Sequence, residues 1–329
     1  MQPLVSVIIP TKNSAHWLPD FLAAYKGQTI ASQIEFVFID SGSTDRTLDI
    51  LRAEVGCAIN LINIPPNKFN HGLTRNLGVQ KANGQYVLLT VQDAMPTDRH
   101  LLEKLLTVIN SSEAPQIVAA CGRQIVPHDA DKNPVEWSMG NGQAEAETYR
   151  FPHPSEFDRL TPQQQIRACK WDNVCALYRK EILVSIPFRE VMFAEDALWA
   201  KDALLNGHKI AYAAQANVYH YHYETYDFVL KRQFTTLYHM NMFFGYQPPL
   251  PEPPIMHSAR LLRILFCKRR LTFANALKWW RYNMQKHKAT LAAHKIFTTA
   301  YAAGGQPALD NKHRELCSTV PQAPTPNIR

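Results

Sequence analysis

The sequence predicts an α/β fold with a doubly wound, mostly parallel sheet, and three observations predict it. Apolar strand-like runs alternate with helix-like runs through residues 4–125, the pattern of parallel strands joined by right-handed crossovers. Two of those strands, in VSVIIPTKN and IEFVFIDSGSTD, stop in polar turns. A third unit, FNHGLTRNLGVQKANGQYVLLTVQDAMP from Phe69 to Pro96, strings together a glycine turn, an arginine on a short helix, a buried strand and an acid at that strand's end. Three such ends on one rim of a parallel sheet make a crevice for a nucleotide.

The elements follow in order. Residues 4–11, apolar from Leu4 to Ile9, read as a central strand because both faces of such a strand are covered. Asn13 to Gly27 reads as a helix with Trp17, Leu18, Phe21, Leu22 and Tyr25 on one face, ended by the glycine. Ile34–Ile39 is the second strand, and Ser43 with Asp45 can cap and charge the next helix start. Ile59–Ile64 is the third strand, closed by Pro65 and Pro66. A helix from Leu73 to Ala82, a strand Tyr86–Thr90, a helix over 98–110 and a strand Ile117–Arg123 complete the first half.

From about Val126 to Cys169 the pattern is broken by Pro127, Pro134, Pro152, Pro154 and Pro162, and a connection this long inside a domain is usually functional or mobile. Order returns with strand Asn173–Tyr178, a helix from Glu195 or Asp196 to Leu205 stopped by Gly207, short strands Ile210–Ala213 and Val218–His222, and a helix near Tyr226–Phe244. The expected organisation is a domain over 1–245, split into a nucleotide-binding half at 1–125 and an acceptor-binding half at 126–245. A proline-rich linker, Pro248–Pro254, leads into a basic helical extension over 246–303, and the tail over 304–329 is expected to be disordered.

Composition narrows the class. Hydrophobic residues make up 46% of the 329-residue chain, enough to bury a full core. No apolar run approaches the ~18 residues that span a bilayer, and MQPLVSVIIP leads straight into a strand without a secretory leader. The six cysteines have no CxxC spacing, which argues against zinc and for small apolar packing residues in a reducing compartment. The net charge is +7, yet residues 256–295 hold ten Lys and Arg and no acid, so the remainder sums to −3. A localised basic block is a footprint for an anionic partner.

Several constellations carry chemistry. Asp93, just past an apolar strand, can bind Mg²⁺ or Mn²⁺ and leave positions for phosphate oxygens; alone, it also reads as a turn residue before Pro96. Asp40, Thr11 and Asn13 sit at the other two strand ends, where they either hold a nucleotide or build turns. Gly72 permits close backbone approach. Arg75 on the following helix can pair with a diphosphate or with Asp40, and His71 lies beside it. No Walker loop and no GxGxxG is present. Glu195 and Asp196 open a helix, where a carboxylate is favoured by the macrodipole and can serve as a general base. Ala197, Ala200 and Leu204 give that helix a buried face that fixes its start. His220 and His222 alternate in VYHYHYE and would point to one side of a strand, a structural pair or metal ligands supporting Asp93.

The order PTKN, D-x-x-S-T-D, R-N-x-G, Q-D-A, E-D and then a histidine resembles glycosyltransferase family 2 over roughly residues 4–240. FNHGLTRN, VQDAMP, CGRQIVPHDAD and FAEDALWAKDALLNGHKIAYAAQANVYHYH are most similar to bacterial rhamnosyltransferases of O-antigen and related polysaccharide assembly. The resemblance implies a GT-A fold and an inverting transferase using a nucleotide sugar, dTDP-rhamnose foremost. It implies that Pro10, Thr11, Asn13, Asp40, Ser43, His71, Arg75, Gln92 and Asp93 surround the nucleotide sugar. It also implies that Asp93 with His220 or His222 holds a divalent cation and that Asp196 is the base. The family's DxD reads Val91-Gln92-Asp93 here, so one carboxylate is missing.

Trp137, Trp171 and Glu195 are the expected acceptor contacts, since flat rings stack on sugars. Leu261, Leu262, Ile264, Leu265, Phe266, Trp279 and Trp280 interleave with the basic residues, which fits a cytoplasmic enzyme held on an anionic membrane beside a lipid-linked saccharide. No nucleic-acid module accompanies the basic stripe. A UDP-sugar donor and a non-catalytic carbohydrate-binding relative are the alternatives; a nucleotidyltransferase is disfavoured because PTKNSAHW lacks a glycine-rich, arginine-bearing loop.

Overall fold

In the computed structural model, residues 2–112, 115–138 and 145–317 are described. The chain divides into two compact units, one formed by 1–125 with 140–220, the other by 126–139 with 221–329.

The first unit is built on one sheet. Its elements are β1 (Val5–Thr11), α1 (Leu18–Lys26), β2 (Ile34–Asp40), α2 (Thr47–Ala53), β3 (Ala58–Asn63), α3 (His71–Lys81), β4 (Tyr86–Thr90), β5 (Met95–Pro96), α4 (Leu101–Ile109) and β6 (Ile117–Ile125). After these come β7 (Glu147–Tyr149), α5 (Pro154–Asp158), α6 (Pro162–Ala168), β8 (Cys175–Arg179), α7 (Lys180–Ser185), α8 (Glu195–Leu205) and β9 (Lys209–Tyr219). The strand order is β3-β2-β1-β4-β8-β6-β9-β5, with β7 on β9.

The four strands β3-β2-β1-β4 are parallel. β8 runs antiparallel between β4 and β6, and β6 and β9 are parallel again. β1, β2 and β4 are apolar without alternation because helices cover both faces, and nearly every residue in them is buried. β3 lies at the edge and is only half-buried.

α1 starts later than its apolar pattern suggests, because Pro19 suits a first helical turn. Its Phe21 and Tyr25 pack on Phe36 and Phe38 of β2. Burying each such side chain contributes about 2 kcal/mol, and Phe21→Ala would cost roughly 3–5 kcal/mol. Ser43 does not cap α2. The turn before that helix is closed by Asp45, whose carboxylate accepts from the Thr47 amide at 3.0 Å. The two short strands expected at 210–213 and 218–222 are one strand, β9, ending at Tyr219, so His220 and His222 lie beyond it.

The second unit is helical: α9 (Tyr226–Phe244), α10 (Pro254–Leu262), a π-helical turn Arg263–Lys268 and α11 (Phe273–Leu316). The expected disorder from 304 onward is corrected over 304–316. The chain breaks helical geometry at Gly304 and Gly305 but continues, because Leu309 and Cys317 bury against Phe234, Ala293 and Phe297. Tyr238 adds a 2.8 Å bond to Asp310. Residues 318–329 of the tail lie outside the described residues. The six cysteines are all unpaired, four of them buried.

Candidate active site

The rim at the ends of β1, β2 and β4 is held by its own polar side chains. Asp40, 1% exposed, accepts from the Gly42 and Ser43 amides at 2.9 and 3.0 Å and from the Ser43 hydroxyl. Gly42, at φ +89°, lets that turn form. Ser43 Oγ in turn accepts from the Asn13 amide at 2.8 Å, and Asn13 Oδ1 accepts from the Thr44 amide at 2.8 Å. Gln92 Oε1 accepts from the Lys12 amide at 3.1 Å and from the Ser14 hydroxyl. Asp40 and Thr11 are therefore buried supports of the rim, while Lys12 and Asn13 are exposed on it and Pro10 is half-buried.

Asp93 occupies the turn between β4 and β5, a turn closed by an Ala94 to Val91 backbone bond of 3.2 Å. β5 then pairs with β9, Met95 opposite Tyr219. That pairing brings Asp93 to the end of β9, where the His220 amide donates to the Ile125 carbonyl at 3.1 Å. His220 Nε2 lies 3.5 Å from Asp93 Oδ1, with both side chains about 15% exposed or less. His220 Nδ1 is 2.5 Å from Gln124 Oε1, and Gln124 Nε2 donates to Asp172 Oδ2. Asp93 and His220 thus put a carboxylate and an imidazole side by side, a pair that can serve a divalent cation; His222 belongs to the second unit.

Asp196 sits in the first turn of α8, its carboxylate accepting from the Ala197 amide at 2.8 Å. Ala194, just before the helix, is held at φ 60°, ψ 35°, a conformation that non-glycine residues avoid and that often marks a functional constraint. Burial raises the Asp196 pKa well above the usual carboxylate range. The nearby charges of Glu195 and Asp172 raise it further, and Arg75 opposes them. Such a carboxyl holds its own proton more tightly than an ordinary one and, once ionised, is the stronger base.

Arg75 does not reach Asp40. Its guanidinium pairs with Glu195, both side chains being under 10% exposed. Glu195, the expected acceptor contact, is thereby held by Arg75. Gly72 is approached by the Arg189 carbonyl, which a Cβ would meet at 2.5 Å. Asn76 exchanges bonds with the Phe188 backbone at 2.8 and 3.0 Å, and Asn70 Nδ2 donates to the Val191 carbonyl at 3.1 Å. The FNHGLTRN segment thus clamps the loop that delivers Glu195 and Asp196. His71 opens α3, half-buried, its ring edge-on to Phe69 at 4.9 Å.

Trp171 is corrected from acceptor contact to core residue. It is 4% exposed, donates to the Tyr178 hydroxyl at 2.6 Å and packs against Trp199 and Tyr212. Trp137 belongs to the second unit, stacked on His128 with Arg269 over its ring at 5.2 Å. Leu261, Leu265 and Trp279 are buried in a cluster of that unit and are not available to a membrane.

Lys12, Gln124 and Asp172 are site residues that the sequence reading passed over. Their only signal is a polar residue at a strand end, which turns also produce.

Residues 6–185 match the family description "Glycosyl transferase family 2". The chain belongs to glycosyl transferase family 2. The family 2 enzyme is 33% identical over 251 residues to the O-antigen chain rhamnosyltransferase WbaN of Salmonella anatum, covering 75% of this chain and 74% of that protein. It is 32% identical over 235 residues to the O-antigen chain rhamnosyltransferase RfbN of Salmonella typhimurium, covering 70% and 71%. The crystal structure of S. aureus TarS superposes with a TM-score of 0.52 at 16% identity, over 89% of this chain and 55% of that one. The fold of the transferase is GT-A. Among the described residues no helix is long and apolar enough to cross a membrane.

Proposed function

We propose that this glycosyltransferase moves rhamnose from dTDP-rhamnose to a saccharide acceptor with inversion, in the assembly of a bacterial surface polysaccharide. The observation that carries the reading is the continuous contact chain of the first unit. Hydrogen bonds run from Asp40 through Ser43 and Asn13 along the rim, Gln92 ties that rim to the turn of Asp93, and His220 and Gln124 lead on to Asp172. The charge of Asp172 acts on Asp196. These links support reading the rim, the Asp93 turn and Asp196 as parts of one site. The sugar itself is supported by the two relatives, both named rhamnosyltransferases.

In this reading the nucleotide lies along the rim over Pro10, Thr11, Asn13, Asp40 and Ser43, with Gln92, Asp93, His71 and Arg75 beside it. Asp196 takes the proton from an acceptor hydroxyl. The oxygen forms its bond to the anomeric carbon on the face opposite the diphosphate, and the carbon–oxygen bond to the diphosphate breaks, releasing dTDP. Asp93 and His220 would hold Mn²⁺ or Mg²⁺; a carboxylate with an imidazole suits Mn²⁺ better than Mg²⁺, which prefers an oxygen shell. When bound, the cation neutralises negative charge on the leaving diphosphate.

The acceptor is read as lipid-linked at the cytoplasmic membrane face. Ile255, Ala259, Leu262 and Phe266 recur every three or four residues and are all exposed, beside exposed Arg263, Lys268 and Arg270. Thermal shift with dTDP-, UDP- and GDP-sugars, with and without Mn²⁺, tests the donor, because a ligand of the folded state raises the melting point. dTDP-rhamnose should give the largest rise; a response to UDP-sugars alone would overturn the rhamnosyl assignment.

A further inference from the structure

We infer that Gln124 and Asp172 are positioning residues that hold the His220 ring with a proton on Nδ1 and with Nε2 turned toward Asp93. The argument runs through bond polarity. An ionised carboxylate only accepts, so the Gln124 atom facing Asp172 Oδ2 is its NH₂. The amide oxygen then faces His220 Nδ1 at 2.5 Å and only accepts, which requires the proton to sit on Nδ1. Nε2, 3.5 Å from Asp93 Oδ1, is then the ring nitrogen turned to that carboxylate, and it is the atom that would meet a cation held there. Asp172 is itself fixed, since its Oδ1 accepts from the Val174 amide at 2.9 Å. Outer partners of this kind set ring orientation and ligand basicity.

The inference deepens the proposed cation site and rests on it only for its consequence, because the Nδ1 proton is present in the metal-free protein. The full chain, metal-free and ¹⁵N-labelled at histidine, is read by long-range proton–nitrogen correlation, with His220 assigned by loss of its signals in His220→Asn. The wild type should have His220 protonated on Nδ1. Asp172→Asn keeps an Oδ1 acceptor for Val174 but adds an NH₂, so the Gln124 amide is free to turn and present its own NH₂ to Nδ1. That variant should move His220 toward the Nε2-protonated form and weaken Mn²⁺ binding, measured by titration calorimetry, by about tenfold to a hundredfold. Gln124→Met, which removes the bond without adding a donor, should give mixed tautomers and an intermediate loss. A wild-type His220 protonated on Nε2 alone, or tautomer populations unchanged in both variants, would overturn the inference. If the tautomers shift as expected while wild-type protein binds neither Mn²⁺ nor Mg²⁺, the relay stands and the cation reading falls.

Discussion

Arg75 and Glu195 form a buried ion pair that joins the second turn of α3 to the first turn of α8 across 120 positions of sequence. The pair stands one residue before Asp196, and its two members act on that carboxyl with opposite sign. Burial is the first cause of the raised Asp196 pKa; Glu195 adds to it and Arg75 offsets only part of that rise.

Asp196→Asn should abolish transfer while leaving donor binding largely intact. It should also stabilise the protein. A carboxyl whose folded pKa is raised holds its proton more tightly in the native state than in the unfolded chain, so ionisation removes stability as pH rises from the unfolded value through the folded one. The melting-point difference between variant and wild type should be absent in acid and grow toward neutral and alkaline pH. A difference that does not change with pH would contradict this account.

Breaking the ion pair from one side should be severe. Arg75→Met leaves Glu195 buried without its partner, at a cost of about 3–5 kcal/mol, while Arg75→Met combined with Glu195→Leu should recover much of that loss. Activity separates the roles further. In the proposed mechanism transfer needs Asp196 ionised, so the acid limb of the pH–rate profile should move up in Arg75→Met and down in Glu195→Gln. Identical limbs in both variants would mean that the pair only holds α3 to α8.

The strands were legible because β1, β2 and β4 are apolar apart from a few residues such as Ser6 and Glu35, which bury by bonding each other, and an acid at such a strand's end, as at Asp93, stands out. The partner of Arg75 was not, because no local pattern encodes a pairing across 120 positions. Gln124 and His220, 96 apart, were hidden for the same reason. Trp171 was misassigned because an aromatic in a proline-broken stretch does not reveal which face it turns to, and here Tyr178, Trp199 and Tyr212 enclose it. At the tail, Gly304, Gly305 and Pro307 read locally as helix breakers, but tertiary burial of Leu309 outweighs them.

Ala194→Gly should stabilise the chain modestly. The left-handed backbone at φ 60° costs an alanine roughly 1–2 kcal/mol. Glycine returns part of this through the greater freedom of its unfolded chain, about 0.4–1 kcal/mol. A net gain of about 0.5–1 kcal/mol in urea denaturation is expected, with Ala194→Val losing more than it gains. A destabilised glycine variant would mean that the conformation before α8 is not strained.

The basic helical segment makes the last prediction. Ile255 is 85% and Phe273 73% exposed, with Met256, Leu262 and Phe266 also on the surface, whereas Leu261 and Leu265 face inward. The segment thus has one apolar face that is packed and one that is not, and exposed Arg263, Lys268, Arg270, Lys278 and Arg281 carry its charge. Each basic residue near an anionic leaflet contributes about 1 kcal/mol, an attraction that salt screens. In co-sedimentation, the protein should bind phosphatidylglycerol vesicles, bind phosphatidylcholine vesicles weakly, and release from the former in high salt. Ile255→Glu with Phe273→Glu should reduce binding about tenfold or more at unchanged melting point, since both side chains are largely exposed. Equal binding to neutral and anionic vesicles would remove the electrostatic part of the argument. Unchanged binding in the double variant would place the contact elsewhere.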